Sequence, residues 1–368
     1  MNSEKLTLPR LDGFRMPGEF EPHKKCWMLW PRRPDTWRCN GVPAQKAFAA
    51  VAAAIARFEP VTVGVSRDQK DSALALLPTH VCIVEIEADD AWMRDVGPTF
   101  VTNNSGEVRG IDWRFNAWGG NDGGLYQPWD SDEQVAGTVL RLEKKLRYQA
   151  DIVMEGGAFH SDGEGTVITT EECLLNRNRN PALSKKQIED HLKNYVAAEK
   201  IIWLPQGVYM DETDGHVDNL CCFIKPGEVL LLWTDDTADP QYNRSLAAYQ
   251  LLSAATDAKG RPLIVHRVHQ PGPLYMSESE SAGIETAAGS IARNTGRRLA
   301  ASYVNFYIAN GGIVMPLFND PRDEAALRTI EKLFPEHQVI ALQSREILLG
   351  GGNIHCITQQ QPQGVSAV

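Results

Sequence analysis

The sequence has little that would tie it to a membrane, a nucleic acid or a disulfide scaffold. Its cysteines number seven, an odd count, and no C-x-x-C pair occurs among Cys26, Cys39, Cys82, Cys173, Cys221, Cys222 and Cys356. Most lie inside apolar runs, so neither a disulfide framework nor a Cys-rich zinc site is expected. No apolar run reaches the roughly 20 residues that a membrane-spanning helix needs, and Met1 to Arg10 lacks the apolar stretch of a signal peptide. Basic side chains are outnumbered 37 to 47, giving a net charge of −10. That balance disfavours nucleic acid and anionic lipid as partners and tolerates a cationic ligand. The expectation is a protein of the reducing cytoplasm. No linker, charge block or low-complexity segment divides the chain, so residues 1–368 are expected to form one domain.

What is present is a repeated plan. Four segments read as strand, Gly-containing turn, strand: Phe100 to Asp112, Ala158 to Thr169, Cys222 to Trp233 and Asn305 to Met315. Gly, Asn and Asp at their tips suit hairpin turns because they tolerate positive φ at low cost. Each hairpin is followed by a stretch of helical period, roughly Ser131–Leu146, Ser184–Ala197, Pro240–Ala254 and Asp323–Phe334. Ser184 with Gln187 makes a capping-box pattern, and Pro240 stands where an N1 proline is expected. An apolar strand comes next, as in Lys200 to Leu204 and Leu263 to Val268. The two ends supply a fifth copy from Cys26–Trp30, a helix Ala44–Phe58, a strand Pro60–Val65 and a closing piece around Asn353–Thr358. Five similar α/β units suggest a closed radial array with a central cavity.

Carboxylates recur just before the first strand of the hairpins. Asp95, Glu155 and Asp218 each lie five positions ahead of a strand residue, at Phe100, His160 and Phe223 respectively. In radially arranged units, equivalent positions converge on the axis, here with His216 beside them. Buried carboxylates without compensation are costly, so such a cluster calls for a cation, a metal or protons. The sharpest feature is Gly350-Gly351-Gly352-Asn353-Ile354-His355-Cys356. Its glycines allow backbone to approach a ligand closely, with Gly351 and Gly352 as the contact points. Cys356, directly after this turn, is placed as an accessible thiol, whereas Cys221 and Cys222 read as inert strand residues.

Taken in order, Trp92-Met93-Arg94-Asp95, Met154-Glu155-Gly156-Gly157, Gly215-His216-Val217-Asp218 and the Gly350–Cys356 segment resemble the pentein superfamily of guanidine-modifying enzymes. The opening Asp12 to Glu19, the stretch Phe115 to Gly120 and the end Gly352 to Gln360 are similar to its agmatine deiminase family, over essentially the whole chain. The resemblance implies a five-bladed α/β propeller that converts agmatine and water to N-carbamoylputrescine and ammonia, a step toward putrescine. It also implies a homodimer or larger assembly.

A guanidinium ion is a poor electrophile, protonated up to a pKa of about 13.8. By the resemblance, Asp95 and Asp218 clamp its nitrogens as bidentate acceptors. Glu155 fixes the cation and His216, the Cys356 thiolate attacks the central carbon, and His216 protonates the departing ammonia and then activates water. Trp92 is expected along the aliphatic chain, with Asp90, Asp12 and Asp214 as candidates for the distal amine. No metal or cofactor is expected, because the substrate brings the positive charge the carboxylates require. Competing readings are an arginine deiminase or dimethylarginine hydrolase, a metal-dependent hydrolase using His216, Asp218 and Asp95, and a non-enzymatic scaffold.

Overall fold

In the computed structural model, which describes residues 7–364, the repeated plan takes the form of five mixed sheets. The reading of the chain's first residues therefore falls largely outside the described residues. Each sheet joins an antiparallel hairpin to a third strand that returns, after a helix, parallel to the second. The first sheet pairs Thr99–Asn103 with Val108–Arg114 and then Arg147–Val153; the second pairs Phe159–Ser161 with Thr166–Thr170 and Lys200–Leu204. The third contains Cys221–Lys225, Glu228–Trp233 and Ile264–His269, and the fourth Tyr307–Ala309, Gly312–Leu317 and Gln338–Gln343. In the fifth, the two ends of the chain meet: Thr358–Pro362 runs antiparallel to His23–Leu29, which is parallel to Val61–Val65.

The physical reason for this order lies in burial. The middle strand of a unit is covered on both faces, so its sequence reads as an unbroken apolar run. Val229, Leu230, Leu231 and Leu232 are all fully buried. The helix between second and third strands lays an apolar stripe on its sheet, Ile188 and Leu192 in Lys185–Tyr195 and Ala326 and Ile330 in Asp323–Leu333. Among the described residues no helix is long and apolar enough to cross a membrane.

Several expected boundaries move. The helix expected over Ser131–Leu146 is shorter, Val135–Leu142, because Lys144 adopts a left-handed φ of 51° and Lys145 N–H reaches back to Leu140 O at 2.9 Å. This is a Schellman ending with lysine where glycine is usual. Pro240 occupies the N-cap of Gln241–Ala254 rather than N1. The closing strand begins at Thr358, and the preceding Asn353–Ile357 is a tight turn in which Ile357 N–H bonds Asn353 O at 3.3 Å. Cys356 therefore stands on a turn. Elements that the sequence left unmarked are Phe14–Arg15 at the edge of the first sheet, Cys82–Glu85 at the edge of the fifth, and a ribbon of Leu274–Tyr275 with Arg298–Leu299.

The Ser184 capping box is present, its hydroxyl accepting from Gln187 N–H and the Gln187 side chain reaching the Ser184 N–H. Ser184→Ala is expected to lower the unfolding free energy by about 1 kcal/mol, read as a fall in the denaturant midpoint with unchanged turnover.

Candidate active site

Three hairpins are entered through a single helical turn: Met93–Val96, Gly156–Ala158 and Val217–Leu220. Asp95 and Asp218 lie within their turns, and Glu155 holds the N-cap position of the second. The turn reverses the chain at the strand end and aims these side chains inward, where all three are at most 5% exposed. In the fourth and fifth units the approach is irregular, and Asn305 and Cys356 stand just before Tyr307 and Thr358.

These residues come together. Cys356 Sγ lies 3.5 Å from Asp218 Oδ2 and 3.2 Å from the Asn305 side-chain amide nitrogen, which donates to it. Asn305 Oδ1 in turn accepts from His355 N–H at 2.9 Å, so one amide pins both the turn and its thiol. Asp95 accepts from Gly157 N–H through one oxygen and from Trp118 Nε1 through the other, at 2.9 and 3.0 Å. His216 lies between two carboxylates, Nδ1 3.9 Å from Asp95 Oδ2 and Nε2 3.7 Å from Glu155 Oε2. Glu155 is held through its other oxygen by Arg179 Nε at 2.7 Å, and both side chains are fully buried. Gly157 sits where a Cβ would meet His216 Nδ1 at 2.6 Å, Asp218 Oδ2 at 2.9 Å and Asp95 Oδ1 at 3.0 Å.

The electrostatics sort these groups. Burial pushes Asp95 up to about 6 against the His216 cation, with Asp218 and Glu155 adding to the rise. Burial also penalises Glu155, but Arg179 and His216 outweigh it and hold the carboxyl down to about 2. His216 is pushed down by burial and lifted by Asp95, Cys173 and Glu155, ending well above the ordinary histidine range. Burial, Asp218 and Asp95 together drive the Cys356 thiol well above its usual value. The resting arrangement is thus a neutral thiol beside an imidazolium and three carboxyl groups.

A narrow pocket opens above the thiol, lined by Trp92, Asp95, Trp118, Glu212, Gly351, Gly352 and Cys356 among others. Trp92, Gly351 and Gly352 thus line the same pocket as Cys356. His216 and Asp218 form the layer next to it, met with Asp95 at the position of Gly157, and Glu155 stands beyond the His216 ring. The three acidic candidates for a distal amine are not part of the lining. Asp12 bonds Tyr148 Oη at 2.6 Å and faces Arg109. Asp90 is buried and accepts from Trp37 Nε1 and Trp92 Nε1, at 2.6 and 3.0 Å. Asp214 is taken by Arg179 Nη1 and Asn178 Nδ2, both at 2.8 Å. Each already satisfies its charge with local donors, which is why a carboxylate near a motif need not face the ligand.

A family model described as Porphyromonas-type peptidyl-arginine deiminase matches residues 15–362. The chain belongs to this family. Relatives within the family include an agmatine deiminase of Pseudomonas aeruginosa (strain LESB58), 59% identical over 362 residues and covering 98% of each chain. Another is the agmatine deiminase of Ectopseudomonas mendocina (strain ymp), 60% identical over 358 residues and 97% of each. Among solved structures, the agmatine deiminase of Enterococcus faecalis superposes with a TM-score of 0.96 at 47% identity, covering 98% of this chain and 99% of that one. Within the family the chain stands with the agmatine deiminases.

Five site residues of this family member escaped the sequence reading: Glu212, Trp118, Asn305, Arg179 and His355. Asn305 had a usable signal, since it precedes the fourth hairpin as Cys356 precedes the closing strand. Trp118 and His355 stood inside quoted motifs without a role. Glu212 and Arg179 lie in loops with no repeat register to flag them. Gly157→Ala is expected to lower kcat/KM at least about 100-fold, because the added methyl must displace the imidazole or a carboxylate by a fraction of an ångström or more. Steady-state kinetics on a variant with an unchanged circular dichroism spectrum checks this.

Proposed function

We propose that the chain hydrolyses agmatine to N-carbamoylputrescine and ammonia through a covalent intermediate on Cys356. One observation carries the reading: a thiol 3.5 Å from a buried carboxylate, Asp218, shares its pocket with a second, Asp95. A planar cation with a forked set of N–H donors matches paired carboxylates, whereas an anionic or neutral ligand would leave them uncompensated. The relatives named agmatine deiminases support the same substrate.

The steps follow from the charges. The guanidinium is clamped between Asp95 and Asp218, and its arrival offsets the field that holds Cys356 as a thiol, so that the thiol proton is lost to solvent. The thiolate adds to the central carbon to give a tetrahedral adduct. His216, already an imidazolium, gives its proton to one amino group, which leaves as ammonia and yields an S-alkylthiouronium. Neutral His216 then takes a proton from water as its oxygen adds to the same carbon. Collapse breaks the C–S bond, the adduct's hydroxyl proton passes to the departing sulfur, and N-carbamoylputrescine leaves with Cys356 restored as a thiol and His216 as an imidazolium. Glu155, fixed by Arg179, holds the His216 ring in place throughout. Trp92 and Trp118 wall the aliphatic chain.

The tail of the substrate is read from the same wall. Among the described residues lining the pocket none is Lys, Arg or His, and Glu212 is a carboxylate. Arg293 bonds both Glu212 oxygens at 2.8 Å and Arg297 lies 3.3 Å from it, and neither arginine lines the pocket. The α-carboxylate of arginine would meet no cationic side chain in that lining and would face Asp95 and Glu212, whereas an amine would not be repelled there. That favours agmatine over arginine. We read the five sheets as the blades of one closed propeller, a single domain with the thiol and carboxylates at its hub. The shared strand order of the units and the meeting of both chain ends in one sheet support this.

Cys356→Ser is expected to lose turnover of agmatine by at least about a thousandfold while still binding it by calorimetry. Ultraviolet thiolate absorbance of the wild type is expected to rise when a non-reactive guanidinium ligand binds. Retained turnover in the variant, or a flat absorbance, would count against the mechanism. Asp95 must be ionised to clamp the cation, and its carboxyl is raised to about 6. The group is charged above that value and neutral below, so kcat/KM is expected to fall as pH drops through about 6. A rate profile level down to pH 5 would contradict it.

A further inference from the structure

His355, the residue before the nucleophile, sits between two carboxylates. Its Nδ1 lies 2.9 Å from Asp218 Oδ2, and its Nε2 lies 2.9 and 3.0 Å from the two oxygens of Glu19. Both ring nitrogens face acceptors that have no proton to give when ionised, so a neutral imidazole would set one lone pair against a carboxylate. Only the doubly protonated ring satisfies both contacts. The ring is 3% exposed, and Glu19 and Asp218 are likewise buried. Other groups facing the cluster are Arg94, whose Nη1 donates to Glu19 at 3.0 Å, and His160, whose Nε2 lies 3.4 Å from Glu19. Phe223 N–H donates to His160 Nδ1 at 3.3 Å, which turns the other ring nitrogen toward Glu19. On its other side Asp218 faces the His216 imidazolium and Asp95, which meet it around Gly157, and the neutral Cys356 thiol.

The consequence falls on Asp218. Its Oδ2 is engaged by His355 and Cys356, whereas its Oδ1 is buried with no hydrogen-bond partner. A buried carboxylate oxygen without a donor is costly, and a ligand N–H would satisfy it. Resting on the function proposed above, we propose that His355 is a positioning residue: an imidazolium, clamped by Glu19, that keeps Asp218 ionised and turned so that Oδ1 is the oxygen offered to the guanidinium. The contact also places a positive charge one residue from the sulfur, on the far side of Asp218 from the substrate. The directions of ionisation agree: burial and Arg94 push His355 down, yet Glu19 and Asp218 carry it above the usual histidine range. Burial raises Asp218, and His355, with His216 and Arg94, outweighs it.

Glu19→Gln separates charge from shape. A glutamine amide can donate to His355 Nε2 while His355 Nδ1–H still donates to Asp218, and its oxygen can still accept from Arg94. The bonds through His355 and Arg94 survive while the countercharge is lost, so His355 becomes neutral and Asp218 loses the cation that holds its Oδ2. The first measurement is the 15N spectrum of histidine-labelled wild-type protein, with the His355 signals assigned by their loss in His355→Asn. Imidazolium shifts at both ring nitrogens at pH 7.5 are expected, and a neutral ring there overturns the proposal. This reading needs no turnover, so it stands or falls separately from the choice of agmatine as substrate. The second is kinetics of Glu19→Gln with agmatine. KM is expected to rise about tenfold with kcat within about threefold, while the acid limb of kcat/KM stays near pH 6, where Asp95 sets it. An unchanged KM, or equal losses in kcat and kcat/KM alongside a large fall in Tm, would reduce His355 to a structural residue and overturn the proposal. Should the variant not fold, the wild-type spectrum alone decides whether the imidazolium exists.

Discussion

Charge balance at the centre of the molecule is the constraint on which the rest depends. Four buried carboxylates, Glu19, Asp95, Glu155 and Asp218, are gathered close to the thiol. Taken alone they would be far too costly to bury. Four cationic groups answer them: Arg94 on Glu19, Arg179 on Glu155, His216 between Asp95 and Glu155, and His355 between Glu19 and Asp218. With Cys356 as a neutral thiol the count closes. Under the proposed function, one guanidinium adds a positive charge and one thiolate a negative one, so the count closes again. The site is then stable with either nothing ionised at sulfur or both partners present. A thiolate without substrate would be the uncompensated state, and burial, Asp218 and Asp95 disfavour it. That protects a nucleophile from reaction before a cation arrives.

The same account explains why such a site needs a repeated fold. Groups of opposite sign must be held within a few ångströms without collapsing into simple pairs. Each acid is therefore fixed by a different element. Asp95 is bound by backbone from the second unit and an indole from the loop after the second strand of the first, Glu155 by an arginine that also bonds Trp118 O and Thr213 O, and Asp218 by the turn of the fifth unit. No one element could present them all. Turns leading into several sheets, each bringing one of these groups, can.

Much of this was legible in the residues, and where it was not the reason is physical. The hairpins, the parallel third strands and the long helices follow from period and turn chemistry, which act over a few neighbours. The recurrence of Asp95, Glu155 and Asp218 before hairpins carried the site because a repeat converts sequence register into spatial convergence. Asp12, Asp90 and Asp214 were misplaced because acidity alone does not say which donor satisfies a carboxylate. Their partners, Tyr148, Trp37 and Arg179, are distant in sequence or belong to loops without register. His355 was passed over because its meaning depends on Glu19, 336 residues away. The ends of helices moved where a non-glycine residue took a left-handed conformation, as Lys144 does.

Asp90 shows how a wrong role can conceal a needed one. It accepts from the indoles of Trp37 and Trp92, whose rings stack at 5.1 Å between centroids with 30° between planes. The glycine run passes against the same pair, for a Cβ on Gly350 would strike the Trp37 ring, and one on Gly352 would come within 2.5 Å of Trp92. Gly351, at φ 109°, is the one whose conformation itself excludes other residues, and its missing Cβ leaves room for Glu212. The glycines are thus fitted to the tryptophan pair and Glu212 as much as to any ligand, and the tryptophan pair is fixed by Asp90. A buried carboxylate on Nε1 withdraws the indole proton toward itself and leaves the ring face richer in electrons, which strengthens its attraction for a cation. The pocket wall and the turn bearing the nucleophile are in that sense one packed unit, so a change at residue 90 would reach the thiol through the glycines without touching a substrate.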